Sequence, residues 1–415
     1  MIKQEIAFPE LHPPLAPQAA IAEANRCLFC FDAPCASACP THIDVPHFIK
    51  QIATRNLFGS AETILEANVL GLSCSRVCPV QVLCEGACVY HNVNQKPIAI
   101  GLLQRHSMEH FYQAAGKLPY KTIPHAKKVA CVGAGPASLA CAAELRKHGI
   151  DVTIFDKRPN PGGLNTYGVA QYKFTPGDSA REVELVRATG VEIRAGIAIG
   201  ESLSIDDLER EYHAIFIGIG LGATQPLGIP GEKLRGVFNA LEFIAAYKTA
   251  EPLPVGNCVA VIGGGNTAID AAVAAKYLGA SQVSILYRRS EANLSAFAFE
   301  YEHARSAGIS FVWNARPVRF VGYQHHVNAV ECDGDMVVPC ETVIVAIGQS
   351  RLLETLQKIR TIEVRNGQVV VNPQTGQTAD PKYFAAGDCV NGGREVVDAA
   401  AEGKRAAQGI VQWLT

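Results

Sequence analysis

Eight of the chain's 14 cysteines fall in two runs, Cys27-x2-Cys30-x4-Cys35-x3-Cys39-Pro40 and Cys74-x3-Cys78-Pro79-x4-Cys84-x3-Cys88. Disulfides, zinc and iron–sulfur clusters could each use such runs. Disulfides need an oxidising compartment. The opening residues carry Lys3, Glu5, Glu10, Glu23 and prolines at 9, 13, 14 and 17, and so lack the basic start and apolar stretch of a signal peptide. Structural zinc favours paired C-x2-C knuckles, whereas only one x2 pair is present and each run contains a Cys-Pro. A Cys-Pro after an x3 spacing matches the bacterial ferredoxin run, in which the last cysteine ligates the other cluster. Two [4Fe-4S] clusters need eight ligands, and the eight cysteines meet that count. The other six, at 131, 141, 258, 332, 340 and 389, stand singly in apolar sequence and read as buried thiols.

Two further stretches carry nucleotide chemistry. From Lys127 the chain runs through an apolar segment, a Gly-rich turn, a helical stretch ending before Gly149 and a second apolar segment: a βαβ unit. Gly133, Gly135 and Ser138 fill the G-x-G-x-x-G/A positions, where small residues let a pyrophosphate approach the helix N-terminus. Asp156 follows at the end of the second strand, placed to take ribose hydroxyls. A second copy starts at Asn257, with Gly263, Gly265 and Ala268 in the same positions and Gly279 closing the helix. The slot that Asp156 holds in the first copy, 23 residues past Gly133, is expected at Arg288 in the second, 25 residues past Gly263, with Arg289 beside it. Guanidinium groups suit a 2'-phosphate by charge and bidentate geometry, which favours NADPH over NADH. Near the C-terminus, Gly387-Asp388 sits between a short apolar run and an alanine-rich helix.

These residues must be held by at least two kinds of domain. Residues 1 to about 115 lack strand-like alternation and read as a helical iron–sulfur domain, with a helix expected from about Ser60 to Asn68 between ligand loops. Leu118 to His125, with two prolines, reads as a linker. The first fingerprint and the Gly387-Asp388 segment flank the second nucleotide unit, so the expected topology inserts one nucleotide domain into the other. The expected fold class is α/β: a helical N-terminal domain (1–120), an FAD domain in two pieces (121–236 and 351–415), and an NAD(P)H domain between them (237–350). The chain has 37 basic and 39 acidic residues, a net charge of -2, and gives no electrostatic footprint for nucleic acid or anionic lipid. No stretch approaches the apolar length of a membrane span. A cytoplasmic protein without nucleic-acid or membrane partners is expected.

Taken together, RCLFCFDAPCASACP, GLSCSRVCPVQVLCEGAC and YFAAGD resemble the electron-input module shared by glutamate synthase small subunits and dihydropyrimidine dehydrogenases. The resemblance covers essentially the whole chain. It implies FAD at the first fingerprint (Gly133, Gly135, Ser138, Asp156, Gly163), with Gly387 and Asp388 at the flavin ribityl chain. It implies NAD(P)H at Gly263, Gly265, Ala268, Arg288 and Arg289. Gln104, in IAIGLLQR, resembles the dihydropyrimidine dehydrogenases, which use glutamine there as a cluster ligand, whereas glutamate synthase small subunits usually have glutamate. Carried over by motif, Cys27, Cys30, Cys35 and Cys88 would hold one cluster, and Cys39, Cys78, Cys84 and Gln104 the other. Cys74 is then spare, although a thiolate is the better iron ligand and the spacing alone would choose it.

The implied activity is the electron-input half of dihydropyrimidine dehydrogenase. NAD(P)H reduces FAD, and electrons leave through two [4Fe-4S] clusters to an FMN- and iron-sulfur-containing catalytic subunit that reduces uracil or thymine. Larger members continue into an FMN-binding barrel that this chain lacks, hence the expected partner. The alternative is a glutamate synthase small subunit feeding a glutamate-forming large subunit. No catalytic acid, base or nucleophile is expected, because hydride transfer to flavin requires none. Two departures from the family pattern stand out: Ser138 in place of glycine, and GVAQYKF (168–174) in place of a Gly-Ile-Pro segment.

Overall fold

The structure is a computed structural model that describes residues 8–118 and 126–415. Of the expected linker over 118–125, residues 119–125 lie outside the described residues. The chain divides into two compact units: 12–166, 177–221 and 351–415 form one, while 222–350, with 167–176 and the segment up to Leu11, form the other.

The larger unit begins with helices α1 (Pro17–Ala24), α2 (Pro34–Ser37), α3 (Val45–Ala53), α4 (Leu57–Ala67), α5 (Gly71–Val77) and α6 (Ile100–Gln113). The sequence marks several of their starts. Asp44 accepts from His47 N at 3.1 Å to cap α3, and Asn56 accepts from Gly59 N at 3.1 Å to cap α4. Phe48, Ile49, Ile52, Ile64, Leu103 and Phe111 are fully buried here, and the Ser60 and Ser107 hydroxyls pair at 2.7 Å. Helix α4 starts three residues before the expected Ser60, because Asn56 supplies its cap.

The same unit then builds a five-stranded parallel sheet. Strand β1 (Lys128–Val132) leads through α7 (Pro136–Lys147) to β2 (Asp151–Asp156), and the short α8 (Leu164–Tyr167) and then α9 (Pro176–Arg187) follow before β3 (Glu192–Ala195). Helix α10 (Ile205–Glu211) leads into β4 (Ala214–Ile217). The other unit's elements come next in the chain: β5 (Val237–Asn239), α11 (Ala240–Lys248), β6 (Cys258–Ile262), α12 (Asn266–Tyr277), β7 (Gln282–Tyr287), α13 (Ala298–Ser306), β8 (Ser310–Trp313), β9 (Pro317–Tyr323), β10 (His326–Cys332), β11 (Met336–Pro339) and β12 (Thr342–Val345). The larger unit resumes with α14 (Leu353–Gln357), the two-residue strands β13 (Val364–Arg365) and β14 (Gln368–Val369), β15 (Tyr383–Ala385), α15 (Asp388–Asn391) and α16 (Val396–Leu414). Its sheet order is β15-β4-β1-β2-β3, so the strand made last pairs with one made before the insert. β1 and β4 are buried along almost their whole length, as strands covered on both faces are.

The nucleotide unit repeats the plan with sheet order β5-β12-β6-β7-β8 and adds the antiparallel ribbon β11-β10-β9. It starts at 222 where the sequence pointed to 237, because the segment before β5 pairs inside it, with Phe320 N donating to Pro230 O at 2.9 Å. Its two ends lie side by side: Gly222 N donates to Ser350 O at 2.9 Å and Ser350 N to Ala223 O at 2.8 Å. Residues 167–176 also join it, contrary to their expected place in the FAD domain. Tyr172 OH donates to Asp270 at 2.7 Å, and the buried Lys173 ammonium pairs with Asp270 at 2.7 Å and Glu300 at 2.5 Å.

Candidate flavin, nucleotide and iron–sulfur sites

The β1–α7 turn is a cradle built on glycines. Gly133 has φ +92°, and a Cβ there would sit 2.5 Å from Gly218 O. Gly135 caps α7, and Pro136 opens it with no amide to spare. Gly163, at φ +58°, packs so closely that a Cβ would sit 2.7 Å from Gly135 Cα. Gly162 N donates to Ala134 O at 2.8 Å and fastens this second loop to the first. Only glycine permits both the conformation and the approach. Ser138 is fully buried on α7, and among the described residues its Oγ has no hydrogen-bond partner, so the position demands smallness rather than polarity.

Asp156 ends β2 as expected, and its carboxylate accepts from Ala134 N at 2.6 Å and Arg158 N at 2.7 Å. It holds the glycine turn in shape as well as facing the site. Gly387 and Asp388 reach the same turn, since a Cβ on Gly387 would sit 3.0 Å from Ala137 Cβ on α7. Gly387 N donates to Glu402 at 2.9 Å, and Glu402 also accepts from the Asn391 amide. Burial pushes the Asp388 carboxyl above its ordinary range although Arg394 N donates to it. The sequence did not single out Glu402, since nothing local ties a helical glutamate to a glycine 15 residues earlier. The residues expected at FAD therefore converge on one open helix N-terminus, which fits a dinucleotide pyrophosphate.

The second fingerprint has the same form. Gly263 has φ +148°, Gly265 caps α12, and Ala268 is fully buried. A loop covers the turn: Ser295 N and Ala296 N both donate to Gly264 O, and Phe297 N donates to Asn266 Oδ1 at 3.0 Å. Strand register corrects one expectation. Gly133 N donates to Phe155 O, and Gly263 N to Leu286 O, so the counterpart of Asp156 is Tyr287 and Arg288 lies one residue beyond. The link from α12 to β7 is one residue longer than that from α7 to β2, so the slot comes 24 residues after Gly263 against 23 after Gly133, and the offset of 25 that pointed to Arg288 overshoots by one. The Tyr287 hydroxyl donates to Asn293 O at 2.7 Å, while Arg288 and Arg289 are exposed at the strand end.

Cys27, Cys30, Cys35 and Cys88 line one cavity, closed by Ile49, Ile98 and Ile100. Burial pushes the Cys35 thiol up to about 11 and also raises Cys27, with Cys88 close to both. Four thiols gathered in one apolar cavity suit a cationic centre that draws off their protons. The second group forms around Cys78, whose thiol is held far above its ordinary value by the Cys74 hydrogen bond first, then burial, with Cys84 and Cys39 adding to it. Burial likewise raises Cys84, with Glu85 and Cys39 nearby. Cys74 thus lies within this group and accepts from Asn68 Nδ2 at 3.1 Å. Gln104 is buried on α6, and its Nε2 donates to Gly71 O at 2.7 Å, anchoring the amide at the start of the helix that bears Cys74. Among the described residues, no group of three or more His, Cys, Asp or Glu is arranged to hold a single metal ion, and no helix is long and apolar enough to cross a membrane.

Comparison with known proteins decides the family. Residues 4–115 match the family model described as dihydropyrimidine dehydrogenase domain II, 4Fe-4S cluster, and residues 127–403 match pyridine nucleotide-disulphide oxidoreductase. The chain is 35% identical to the NAD-dependent dihydropyrimidine dehydrogenase subunit PreT of Salmonella typhimurium, covering 99% of this chain and 98% of that one. This chain belongs to that dihydropyrimidine dehydrogenase subunit family. It is also 32% identical to the Escherichia coli glutamate synthase [NADPH] small chain, over 99% of this chain and 95% of the relative. Among solved structures it is similar in fold to Lactococcus lactis thioredoxin reductase (TM-score 0.57, 21% identity, 69% of this chain and 99% of that one). Mycobacterium tuberculosis FprA in complex with NADPH gives a TM-score of 0.56 at 18% identity, over 70% and 85%. As a family member the chain is an NAD(P)-dependent flavoprotein oxidoreductase that carries FAD and [4Fe-4S] iron–sulfur.

Proposed function

We propose that the chain is the electron-input subunit of an NAD(P)-dependent dihydropyrimidine dehydrogenase, passing electrons to an FMN- and iron-sulfur-containing partner that reduces uracil or thymine to the 5,6-dihydro product. The full-length similarity to PreT subunits, spanning both the cysteine-bearing helices and the two nucleotide units, carries this assignment. The flavin, when bound, converts a hydride into single electrons, and the clusters carry these one at a time.

The chain's own residues do the positioning. Gly133, Gly135 and Gly163 keep the α7 N-terminus open to the FAD pyrophosphate, Asp156 holds that turn and takes the ribose, and Gly387 with Asp388 meets the ribityl chain. Gly263, Gly265 and Ala268 do the same for NAD(P)H, with Arg288 and Arg289 beyond β7 on the 2'-phosphate side. Cys27, Cys30, Cys35 and Cys88 hold one cluster, and Cys39, Cys78, Cys84 and Gln104 the other, with Gln104 oriented by its bond to Gly71 O. The expected domain division assigns these to 1–120, to 121–236 with 351–415, and to 237–350.

The test is anaerobic. The chain is combined with an FMN-containing dihydropyrimidine dehydrogenase catalytic subunit, and NADH and NADPH oxidation are followed with uracil, thymine, or 2-oxoglutarate plus glutamine. Pyrimidine-dependent oxidation is the expected result. Oxidation that depends on a glutamate-forming large subunit instead would establish the glutamate synthase alternative, and transfer to artificial dyes alone would remove the pyrimidine assignment.

A further inference from the structure

Helix α5 carries Cys74 and ends at Cys78, yet its own N-cap, Leu70, has no side chain able to bond the exposed amides. Helix α9, 100 residues onward in the same unit, supplies that bond. Glu182 accepts from Ser73 N at 2.8 Å, and one turn earlier Asp178 pairs with Arg76 at 2.7 Å. All four residues are buried. Asp178 also takes Arg181 at 3.2 Å, whose guanidinium lies 4.8 Å from the centre of the Tyr112 ring on α6.

The other side of α9 is tied to the flavin cradle. Ser179 pairs with the Thr166 hydroxyl at 2.7 Å, and Thr166 in turn donates to Pro161 O at 2.7 Å. Pro161 precedes Gly162, which bonds Ala134 O in the first fingerprint. A continuous set of buried contacts therefore runs from the glycine turn through Thr166, Ser179, Asp178 and Glu182 to the cysteine-bearing helix. Among the described residues Glu182 Oε2 has no hydrogen-bond partner, and Oε1 is the atom that holds α5.

We propose that Glu182 and Asp178 are positioning residues for electron transfer, clamping α5 to the flavin domain through Ser73 and Arg76 and so fixing the separation between the flavin site and the cluster that Cys78, the C-cap of α5, would hold. This rests on the proposed cofactor sites. The step they govern is the loss of one electron by flavin that NAD(P)H has reduced and its gain by one oxidised cluster. Electron transfer falls off steeply with distance, so a loosened α5 slows this step without touching hydride transfer.

The experiment uses the full chain with its flavin and iron–sulfur, mixed anaerobically with NADH. Flavin bleaching reports hydride transfer, and freeze-quenched electron paramagnetic resonance reports cluster reduction. Glu182→Leu is expected to leave the first unchanged and to slow the second severalfold, as a small increase in the separation between flavin site and cluster would. Glu182→Gln, which keeps the acceptor at Oε1, restores it. Should Glu182→Leu lose its iron, Arg76→Lys tests the same clamp, with a smaller slowing expected at full iron content. Cluster reduction at the wild-type rate in iron-replete Glu182→Leu or, failing that, Arg76→Lys would overturn the clamp. So would a Gln variant as slow as Leu. A wild-type chain lacking flavin or iron would overturn the cofactor sites and the clamp together.

Discussion

Lys173 offers the most demanding test of how residues 167–176 are held. Its ammonium is buried between Asp270 of α12 and Glu300 of α13, at 2.7 and 2.5 Å. Burial alone would push the ammonium's pKa down, but the two carboxylates hold it above its ordinary value. Replacing Lys173 with Met removes the cation and leaves two carboxylates facing each other in the interior. Breaking a buried pair in this way costs about 3–5 kcal/mol. At roughly 2–4 °C per kcal/mol for a unit of this size, the melting transition of the nucleotide unit should fall by about 10 °C. The loss should shrink as pH falls. Burial raises the Glu300 carboxyl, and an acid whose folded pKa is raised is least destabilising when protonated. The triple change Lys173→Met, Asp270→Asn, Glu300→Gln should recover most of the stability, because the uncompensated charges are gone. Calorimetry at neutral and mildly acid pH measures all three. A Lys173→Met protein that melts within 2 °C of wild type, or a triple variant as unstable as the single, would refute the reasoning.

Further outcomes are expected at the sites. Gly163→Ala forces a Cβ to 2.7 Å from Gly135 Cα at φ +58°; it should weaken FAD binding by about tenfold or more while iron content stays constant, as read from released flavin. Gln104→Cys should lower the potential of one cluster, since a thiolate replaces a neutral amide, and Cys74→Ala should leave the iron content intact; iron lost from Cys74→Ala would instead make Cys74 the eighth ligand. Arg288→Ala with Arg289→Ala should raise KM for NADPH by about 10- to 100-fold and leave that for NADH nearly unchanged, the range for losing charge-assisted bonds to a phosphate. Burial pushes the Glu182 carboxyl up to about 8. Its folded pKa exceeds its unfolded one, so stability contributed by this group declines as pH rises from the ordinary carboxylate range through about 8, by up to roughly 1.4 kcal/mol per pH unit; Glu182→Gln should flatten that slope in pH-dependent denaturant titrations.

The two nucleotide turns were legible in the sequence because a glycine needed for close approach has to sit at a fixed offset from its strand and helix, and Gly133, Gly135, Gly263 and Gly265 do. Gly387 and Asp388 took their meaning from the family resemblance alone, because a Gly-Asp between an apolar run and a helix reads locally as a turn or cap. Counting failed by one at Tyr287: the extra residue in the link after α12 moves the strand end one place on, and the count to Arg288 went one place further still, because no motif marks where the strand stops. Cys27, Cys30, Cys35 and Cys88, which the resemblance implies as one ligand set, line one cavity, while the second group also draws in Cys74. Glu182 and Lys173 left no signal at all. Their partners lie 109 and 127 residues away, and a buried carboxylate or ammonium that works across such separations looks, in sequence, like any surface charge. Residues 168–174 carry no proline to stiffen them, and Lys173 supplies the anchorage by ion pairing instead.

The side-by-side ends of the inserted unit dictate an order of assembly during synthesis. Helices α1 to α6 are complete early, and residues 222–350 can close on themselves as soon as Ser350 meets Gly222. The five-stranded sheet must wait, because β15 pairs with β4 across the whole insert, and Gly387 with Asp388 arrives only after it. Domains fold in the order they emerge, so the cysteine helices are available for metallation while the flavin cradle is still unfinished. A nascent chain arrested before β15 should therefore acquire iron but hold no flavin.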